Sequence, residues 1–425
     1  MVLGNLFQLT YNAADSVIVG KYVGEQALAA VGTSTPIMNI AILLISGMCM
    51  GASVLMSSQY GAKDYDTLSR QISTTMLAGC GFSVVFSLLM LLLANPVLRL
   101  IRVPETAIPE AAAYLRIIFM GLIFTFMYNF LANTMRALGD SKTPLYFLVT
   151  SAFLNIFGDL FFVVVLRWGV AGSAIATVCS EGLCCLLCGI YIKKKIPLLC
   201  LGKKWWVFDK SLLGKTVSYG STSAMQQVCL QLGKLIIQSV VNTQGVAVMA
   251  AFTAVNRVDD FAYTPQQNIG HAMTTFLAQN KGAGHKERMK KGFQTGLLIE
   301  LVYSIGLFCV IWGLAPQIMT LFAEDGDAQV VSLGISYLHL ISWMYILPGL
   351  TNGVQGFFRG IGDLKVTLYS TFMNMFGRVV AVFVMIRLLQ MEFASLAWAN
   401  MVGWIVMLLF EVPLLVKSMR NGECG

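Results

Sequence analysis

Charged residues are scarce in this chain of 425 residues. Only 12% of the residues are Asp, Glu, Lys or Arg, whereas 57% are hydrophobic and the mean hydropathy is +0.72. Soluble globular domains carry about 25% charged residues, so this composition excludes one large soluble domain. The chain therefore belongs in a lipid bilayer, where each backbone amide must bond within its own segment.

Histidine clusters and nucleotide-binding loops are also absent from the sequence. The histidines are well separated, at His271, His285 and His339. No metal motif or activated nucleophile is recognisable, so we expect the protein not to be an enzyme. Gly214-Lys215-Thr216 resembles the end of a phosphate-binding loop, but Asp209 stands where that loop needs glycine. We therefore expect neither ATP-driven transport nor a bound cofactor.

Long apolar runs take the place of a soluble pattern. A helix needs about 20 apolar residues to cross a bilayer, and twelve such runs are present. They extend approximately over 3–20, 35–57, 73–95, 112–136, 144–166, 170–192, 217–241, 248–278, 295–315, 333–358, 366–389 and 395–416.

The basic residues concentrate on one side of these spans. If successive spans alternate in direction, 20 of the 29 Lys and Arg residues fall on the side that carries both termini, and 5 fall on the other. The positive-inside rule then predicts cytoplasmic termini in the cell membrane. The net charge of +8 therefore indicates topology, and we expect no nucleic-acid partner.

The chain contains an internal repeat. The segment Arg136 to Asp140 (RALGD) recurs as Arg359 to Asp363 (RGIGD), 223 residues later, and glycine and alanine positions earlier in each half recur at an offset of 221. The predicted fold is an all-α membrane protein with twelve transmembrane helices in two six-helix lobes. The lobes are residues 1–192 and 216–425, joined by a cytoplasmic linker of residues 193–215.

Ionisable side chains inside the spans are functional candidates, because a charge is costly in hydrocarbon. In the first half they are Asp15, Asp159, Glu181 and Arg116. On the first span, Gln8, Tyr11, Asn12 and Asp15 repeat at helical spacing and so share one face. We expect this face to look onto a cavity or another part of the protein.

Oxygen donors also converge on the fifth and sixth spans. Asn155 and Asp159 lie one helical turn apart, and Thr177 follows on the next span. Carboxylate, amide and hydroxyl oxygens are hard donors that suit a small cation such as Na⁺, and the carboxylates can equally exchange protons. We predict that Asp15 and these three residues bind a coupling cation, with the choice between Na⁺ and H⁺ left open.

The second half differs at the repeat-equivalent positions. Asp15, Asn155 and Asp159 are replaced there by Ile236, Arg378 and Val382. We therefore expect only the first half to carry intramembrane carboxylates that bind the coupling cation. For Arg257 we predict a local ion pair with one of the two neighbouring aspartates, Asp259 or Asp260.

Four motifs can be compared with known families. They are NLFQxxYNxxDxxxVGxxxGxxALAAVG at Asn5 to Gly32, SQYGAKD at Ser58 to Asp64, RALGDSKTP at Arg136 to Pro144 and RGIGD at Arg359 to Asp363. Together they resemble the multidrug and toxic compound extrusion (MATE) family, in its DinF-like bacterial branch, over nearly the whole chain. The resemblance implies alternating access and export of organic cations or other amphipathic small molecules against an inward Na⁺ or H⁺ gradient.

The resemblance also implies which residues bind. In that branch the cation is bound by an Asp on the first helix, an Asn and an Asp on the fifth and a Thr on the sixth. These match Asp15, Asn155, Asp159 and Thr177 one by one.

For substrate binding, the resemblance implies the polar face of the first helix, which carries Gln8, Tyr11 and Asn12. From spacing alone we add Asn129 and Asn133, one turn apart on the fourth span. Family members begin further upstream of NLFQ, so we expect either a misassigned start codon or a shortened chain.

An alternative function is a lipid-linked oligosaccharide flippase of a related fold. It would need a strongly cationic central cavity, for which the candidates are Arg116, Lys234, Arg257 and Arg378. A membrane-embedded enzyme is disfavoured by the missing motifs, and a non-transporting receptor is disfavoured by the repeat. We expect a monomer whose partners are amphipathic small molecules and the lipid bilayer.

Overall fold

The fold is all-α, as predicted. The computed structural model describes residues 18–101, 103–196, 206–322, 328–387 and 393–420, and within these ranges it contains helices and no strand. A helix satisfies every backbone amide within one segment, which is why the long apolar runs form helices.

Thirteen helices are bounded within the described ranges, and residues 18–22 form the end of a further one. The first six are α1 Glu25–Gly61, α2 Tyr65–Leu100, α3 Ile108–Met120, α4 Leu122–Ala137, α5 Lys142–Asp159 and α6 Gly169–Lys195, with a π-helical segment Leu160–Val165 after α5. The others are α7 Lys210–Val241, α8 Val246–Gly282, α9 Lys286–Phe322, α10 Ala328–Ser342, α11 Ile346–Ile361, α12 Leu364–Arg387 and α13 Ala394–Arg420. A 3₁₀ turn, Trp343–Tyr345, joins α10 to α11.

The predicted spans agree with these helices. The first span, 3–20, lies almost wholly outside the described residues, and each of the other eleven falls on a helix or on a pair of consecutive helices. Among the described residues, eight helical segments are long and apolar enough to cross a membrane, and α3 with α4, bent by 45°, makes a ninth. The remaining two, α7 and α8, are more polar because they carry several glutamines and charged residues, including Lys234, Asp259 and Asp260.

The chain divides into two compact units, Met1–Ala224 and Met225–Gly425, and the boundary falls inside α7. Aromatic rings pack together in the core of each unit. In the first unit Phe126 stacks on Phe130 with ring centroids 5.7 Å apart, and in the second Tyr263 meets Tyr345 at 5.4 Å. Lipid tails are as apolar as these side chains, so close packing stabilises the cores more than removal from water does.

Candidate functional site

Helices α5 and α6 approach each other closely where both carry small residues. A β-carbon built on Gly158 would lie 3.0 Å from Cβ of Ala176, so a larger side chain at either position would push the helices apart. Asp159 and Thr177 directly follow these two residues in the sequence. The close approach therefore places the predicted cation ligands of α5 beside those of α6.

Asn155 and Thr177 form a hydrogen bond across this contact. Nδ2 of Asn155 donates to Oγ1 of Thr177 over 3.2 Å, and Oγ1 of Thr177 lies 3.2 Å from the carbonyl oxygen of Ser173, to which it donates. Asn155 is 3% exposed, and its Oδ1 has no hydrogen-bond partner among the described residues. A buried acceptor without a donor is costly, and it is also the group that a cation can use as a ligand.

Asp159 lies one turn after Asn155, at the last residue of α5, and is fully buried. The helix changes there from α to π geometry over Leu160–Val165. Short π segments within α-helices are rare and are frequent at functional sites. The structure thus places Asn155 and Asp159 on one face at the end of α5 and bonds the first of them to Thr177. Their binding of a cation stays a prediction.

Other predicted site residues stand apart from this cluster. Gln8, Tyr11, Asn12 and Asp15 lie outside the described residues. Asn129 and Asn133 are half-buried on α4, and each donates its Nδ2 to the backbone carbonyl one turn earlier, over 2.9 Å. Their role in substrate binding also stays a prediction.

Glu181 extends the cluster by one more turn of α6. Its Oε2 accepts a hydrogen bond from Oγ1 of Thr125 on α4. A cavity of about 20 Å³ lies against Thr125, Thr177 and Glu181 and is otherwise lined by apolar side chains. This volume holds about one water molecule. The sequence identified Glu181 as an intramembrane carboxylate but gave no reason to include it in the site, because only the fold brings α4 beside it.

In the second unit, the position equivalent to Asn155 is occupied by a positively charged residue. Arg378, the counterpart of Asn155, interacts electrostatically with Asp259 on α8, which also accepts a hydrogen bond from the hydroxyl of Tyr345. A guanidinium remains protonated in proteins, so Arg378 is a fixed cation. The predicted ion pair of Arg257 is wrong, because Asp260 pairs with Lys234 at 3.6 Å and Asp259 faces Tyr345.

The second unit also contains buried carboxylates that the sequence comparison missed. Glu300 on α9 and Glu411 on α13 are both 0% exposed, in helices apolar enough to span a membrane. The second half therefore also carries carboxylates inside its spans, which the comparison of repeat-equivalent positions did not consider. That only the first half binds the coupling cation stays a prediction.

An apolar groove lies between α7 and α12 in the second unit. Its volume is about 660 Å³, within the range of sites that bind drug-sized molecules. The lining is aromatic, aliphatic and rich in sulfur, and includes Met225, Leu232, Ile236, Tyr369, Phe372 and Met375. Because Ile236 is the counterpart of Asp15, the groove uses the helix face that is polar in the first half.

Comparisons with known proteins agree with the fold and the repeat. The MatE family model matches residues 1–161 and 223–384, once in each half. The chain is 31% identical over 371 residues to "Probable multidrug resistance protein YpnP" of Bacillus subtilis, which covers 87% of this chain and 82% of that protein. It is 23% identical to "Probable multidrug resistance protein NorM" of Thermotoga maritima, over 95% and 87% of the two chains. A solved structure described as the outward-facing conformation of a multidrug resistance MATE family transporter matches with a TM-score of 0.91 at 22% identity, over 100% of this chain and 94% of that one.

Proposed function

The chain belongs to the MatE family of membrane transporters, and we propose from this that it exports amphipathic small molecules, including organic cations, in exchange for Na⁺ or H⁺. The names of its relatives support multidrug export. The observation that best supports cation coupling is the bond from Asn155 to Thr177. It orients an amide oxygen that has no donor among the described residues, on the same helix face as the buried Asp159.

Coupling would follow from competition for one conformational equilibrium. Cation binding at Asn155, Asp159 and Thr177, with Asp15 as the fourth ligand, favours one orientation of the transporter, and bound substrate favours the other. Each ligand shifts the equilibrium only by its difference in affinity for the two states, so each promotes release of the other. Export against a gradient then requires no nucleotide.

The groove between α7 and α12 is the proposed apolar part of the substrate site. Methionine and aromatic side chains adapt to ligands of different shape, which suits a broad substrate range. Within the first unit, we separately propose that Gln8, Tyr11 and Asn12 of the first helix and Asn129 and Asn133 of α4 contact substrate. We further propose that the protein acts as a monomer in the cell membrane with both termini in the cytoplasm.

The coupling residues can be tested by dye efflux from vesicles that contain the purified protein. Asp159→Asn is expected to abolish gradient-driven efflux, because the neutral amide can neither take up a proton nor balance a cation. Asp66→Asn is the matched control, since Asp66 is an exposed carboxylate in the first turn of α2. Efflux driven by an imposed Na⁺ gradient at fixed pH would indicate coupling to Na⁺ and not to H⁺. Undiminished efflux in Asp159→Asn would refute the proposed cation site.

The flippase alternative is weakened by the charges of the second unit. Lys234 is paired with Asp260 at 3.6 Å, and Arg378 is attracted by Asp259, so two of the four candidate cations already have carboxylate neighbours. A site for a pyrophosphate-linked lipid needs positive charge that the protein does not itself neutralise. We therefore favour export of amphipathic molecules, and a lipid-flipping assay on the same vesicles would show no activity.

A further inference from the structure

A buried polar cluster surrounds the break between α10 and α11 in the second unit. Glu300 and Ser304 lie one turn apart on α9, Gln266 lies on α8, and Gly349 is on α11. A β-carbon built on Gly349 would lie 2.8 Å from Oγ of Ser304, 3.2 Å from Nε2 of Gln266 and 3.5 Å from Oε2 of Glu300. Three polar side chains therefore meet over a position that has no side chain of its own.

The hydrogen bonds of the cluster fix the orientation of Gln266. Its Nε2 donates to the carbonyl oxygen of Tyr345 over 2.9 Å and to Oγ of Ser304 over 3.1 Å, so both amide hydrogens are used. A flipped amide would place its oxygen against the Tyr345 carbonyl, with no hydrogen between them. Gln266 is 0% exposed, and its Oε1 has no hydrogen-bond partner among the described residues.

Glu300 adds two further oxygens without a donor. The residue is 0% exposed, and neither Oε1 nor Oε2 has a hydrogen-bond partner in the described part of the chain. No ion pair found within the described ranges includes this carboxylate. A buried carboxylate is normally paired or bound to a cation, because an uncompensated charge is expensive in an apolar interior.

The internal repeat shows that the fold itself does not need a carboxylate here. At the repeat offsets, Glu300 corresponds to Gly79 and Gly349 corresponds to Phe126. In the first unit the ring of Phe126 fills the space over Gly79, where a β-carbon would lie 1.9 Å from the ring atom Cζ. The large and the small residue have thus exchanged helices between the two units, and a carboxylate replaces the ring.

The exchange includes a second member of the cluster. Gln266 corresponds to Ile45, which is apolar and nearly fully buried in the first unit, whereas Ser304 corresponds to Ser83, so the hydroxyl is common to both units. The second unit therefore differs from the first in carrying a carboxylate and an amide where the first unit has a glycine and an aliphatic side chain.

We propose that Glu300, Gln266, Ser304 and the carbonyl group of Tyr345 bind a Na⁺ ion inside the second unit. The ligands are one carboxylate, one amide oxygen, one hydroxyl and one backbone carbonyl, all hard oxygen donors with a single negative charge. Tyr345 ends the 3₁₀ turn between α10 and α11, and breaks of this kind in transporter helices provide carbonyl oxygens for ions.

A proton alone satisfies the cluster less well than a sodium ion. Protonated Glu300 gains one O–H donor, which can serve Gln266 Oε1 but leaves the second carboxyl oxygen without a partner. A bound Na⁺ would take both carboxyl oxygens of Glu300 and Oε1 of Gln266 as ligands. The single carboxylate also balances a monovalent ion and leaves a divalent ion with excess charge.

This site is separate from the proposed coupling site at Asn155 and Asp159. Its test is therefore a measurement of Na⁺ binding and not of transport. Radioactive Na⁺ is measured on the purified protein in detergent at alkaline pH, with choline as the balancing cation. In the Asp159→Asn background one Na⁺ per chain is expected to remain bound, and adding Glu300→Gln is expected to remove it. The site is refuted if Asp159→Asn binds no Na⁺, or if Glu300→Gln leaves its binding unchanged.

Two further variants separate loss of the ligand from loss of the fold. Gly349→Ala fills the space between the ligands without changing the charge, and should weaken Na⁺ binding roughly 10- to 100-fold. Gly306→Ala is its control, because a β-carbon on Gly306 of the same helix as Glu300 meets nothing within 4 Å.

The double variant Glu300→Gly with Gly349→Phe copies the residues of the first unit. It should elute from a sizing column as the wild type does while binding no Na⁺ at this site. Wild-type Na⁺ affinity in either variant would overturn the proposal.

Discussion

Asn155 donates its amide hydrogen to Thr177 across the contact of α5 and α6, over 3.2 Å, and the oxygen of the same amide has no donor within the described part of the chain. The bond gives this neutral residue a defined orientation at the predicted cation site. Thr177 holds the nitrogen end of the amide, so the oxygen end must point elsewhere. The position of the predicted cation ligand Asn155 on α5 therefore depends on a hydroxyl of α6.

The first prediction concerns that hydroxyl. Thr177→Val has nearly the same shape but cannot accept the hydrogen bond, so the Asn155 amide loses its anchor. We expect cation-driven efflux to fall about tenfold, which corresponds to the roughly 1.4 kcal/mol of a hydrogen bond of ordinary strength. Thr177→Ser keeps the hydroxyl and should retain most of the activity. Equal efflux rates for the two variants in vesicles would contradict this role.

The second prediction concerns the close approach of α5 and α6. Gly158→Val adds bulk where a β-carbon already lies 3.0 Å from Ala176, so we expect about 1 to 3 kcal/mol of destabilisation from overpacking. Gly189→Val is the control, because a β-carbon on Gly189 of α6 meets nothing within 4 Å. Thermal unfolding in detergent measures both variants, and an equal change in the two midpoints would show that the contact is not tight.

The sequence predicted the helices well because the bilayer imposes a simple rule on them. An apolar run of sufficient length has to be helical, so eleven spans could be located before the structure was known. The pair Asn155 and Asp159 was predictable from spacing, since one helical turn separates them. The bond from Asn155 to Thr177 was not, because it depends on the close packing that Gly158 and Ala176 permit.

Residues brought together from distant segments were harder to predict. The sequence placed Arg257 three positions before Asp260, a spacing at which helical side chains can meet, but it did not show which other cation competes for that carboxylate. The structure instead pairs Asp260 with Lys234 of the preceding helix. The grouping of Glu300 with Gln266 and Gly349 was not predictable for a related reason, because the three residues come from three different helices.

The third prediction concerns the apolar groove. Phe372→Ala removes a ring from its wall, and we expect weaker export of large aromatic dyes, with an apparent affinity lower by roughly tenfold. Leu409→Ala on α13 is the control, because Leu409 is 70% exposed and does not line the groove. Competition between dyes in the vesicle assay measures the effect. An equal loss of affinity in both variants would exclude a specific role for the groove.

The fourth prediction concerns Asp209, which precedes α7 outside the spans. Its Oδ1 accepts hydrogen bonds from the backbone N–H groups of Leu212 and Ser211, and Arg70 pairs with its other oxygen. The Leu212 N–H first, then the Ser211 N–H and the Arg70 charge, lower the pKa of the Asp209 carboxyl. The ionised Asp209 carboxylate therefore stabilises the folded protein fully above the ordinary carboxyl pKa of about 4. This stabilisation is lost as the pH falls through the lower pKa that the carboxyl has in the folded protein.

Asp209→Asn tests this sign, because asparagine keeps the cap acceptor and loses the charge. The wild type should unfold at a higher temperature than the variant near neutral pH, and the difference should shrink as the pH falls below about 4. Arg70→Met should reduce the difference without removing it, because the two backbone donors remain. A gap between the wild type and Asp209→Asn that widens in acid would contradict the assignment.

The last prediction compares the charges of Arg378 and Lys234 in the second unit. Arg378→Met removes one of the two cations that act on Asp259, which is 6% exposed, and Lys234 is the other. No direct ion pair joins Arg378 to Asp259 among the described residues, so we expect a cost of about 1 to 2 kcal/mol, below the about 3 to 5 kcal/mol of a broken buried pair. Lys234→Met breaks the exposed pair with Asp260 and should cost at most about 1 kcal/mol.

If Arg378 acts as a fixed cation, Arg378→Met combined with Asp259→Asn should recover most of the lost stability, as measured by thermal unfolding. A double variant less stable than Arg378→Met alone would show that Asp259 is held by Tyr345 and not by the guanidinium.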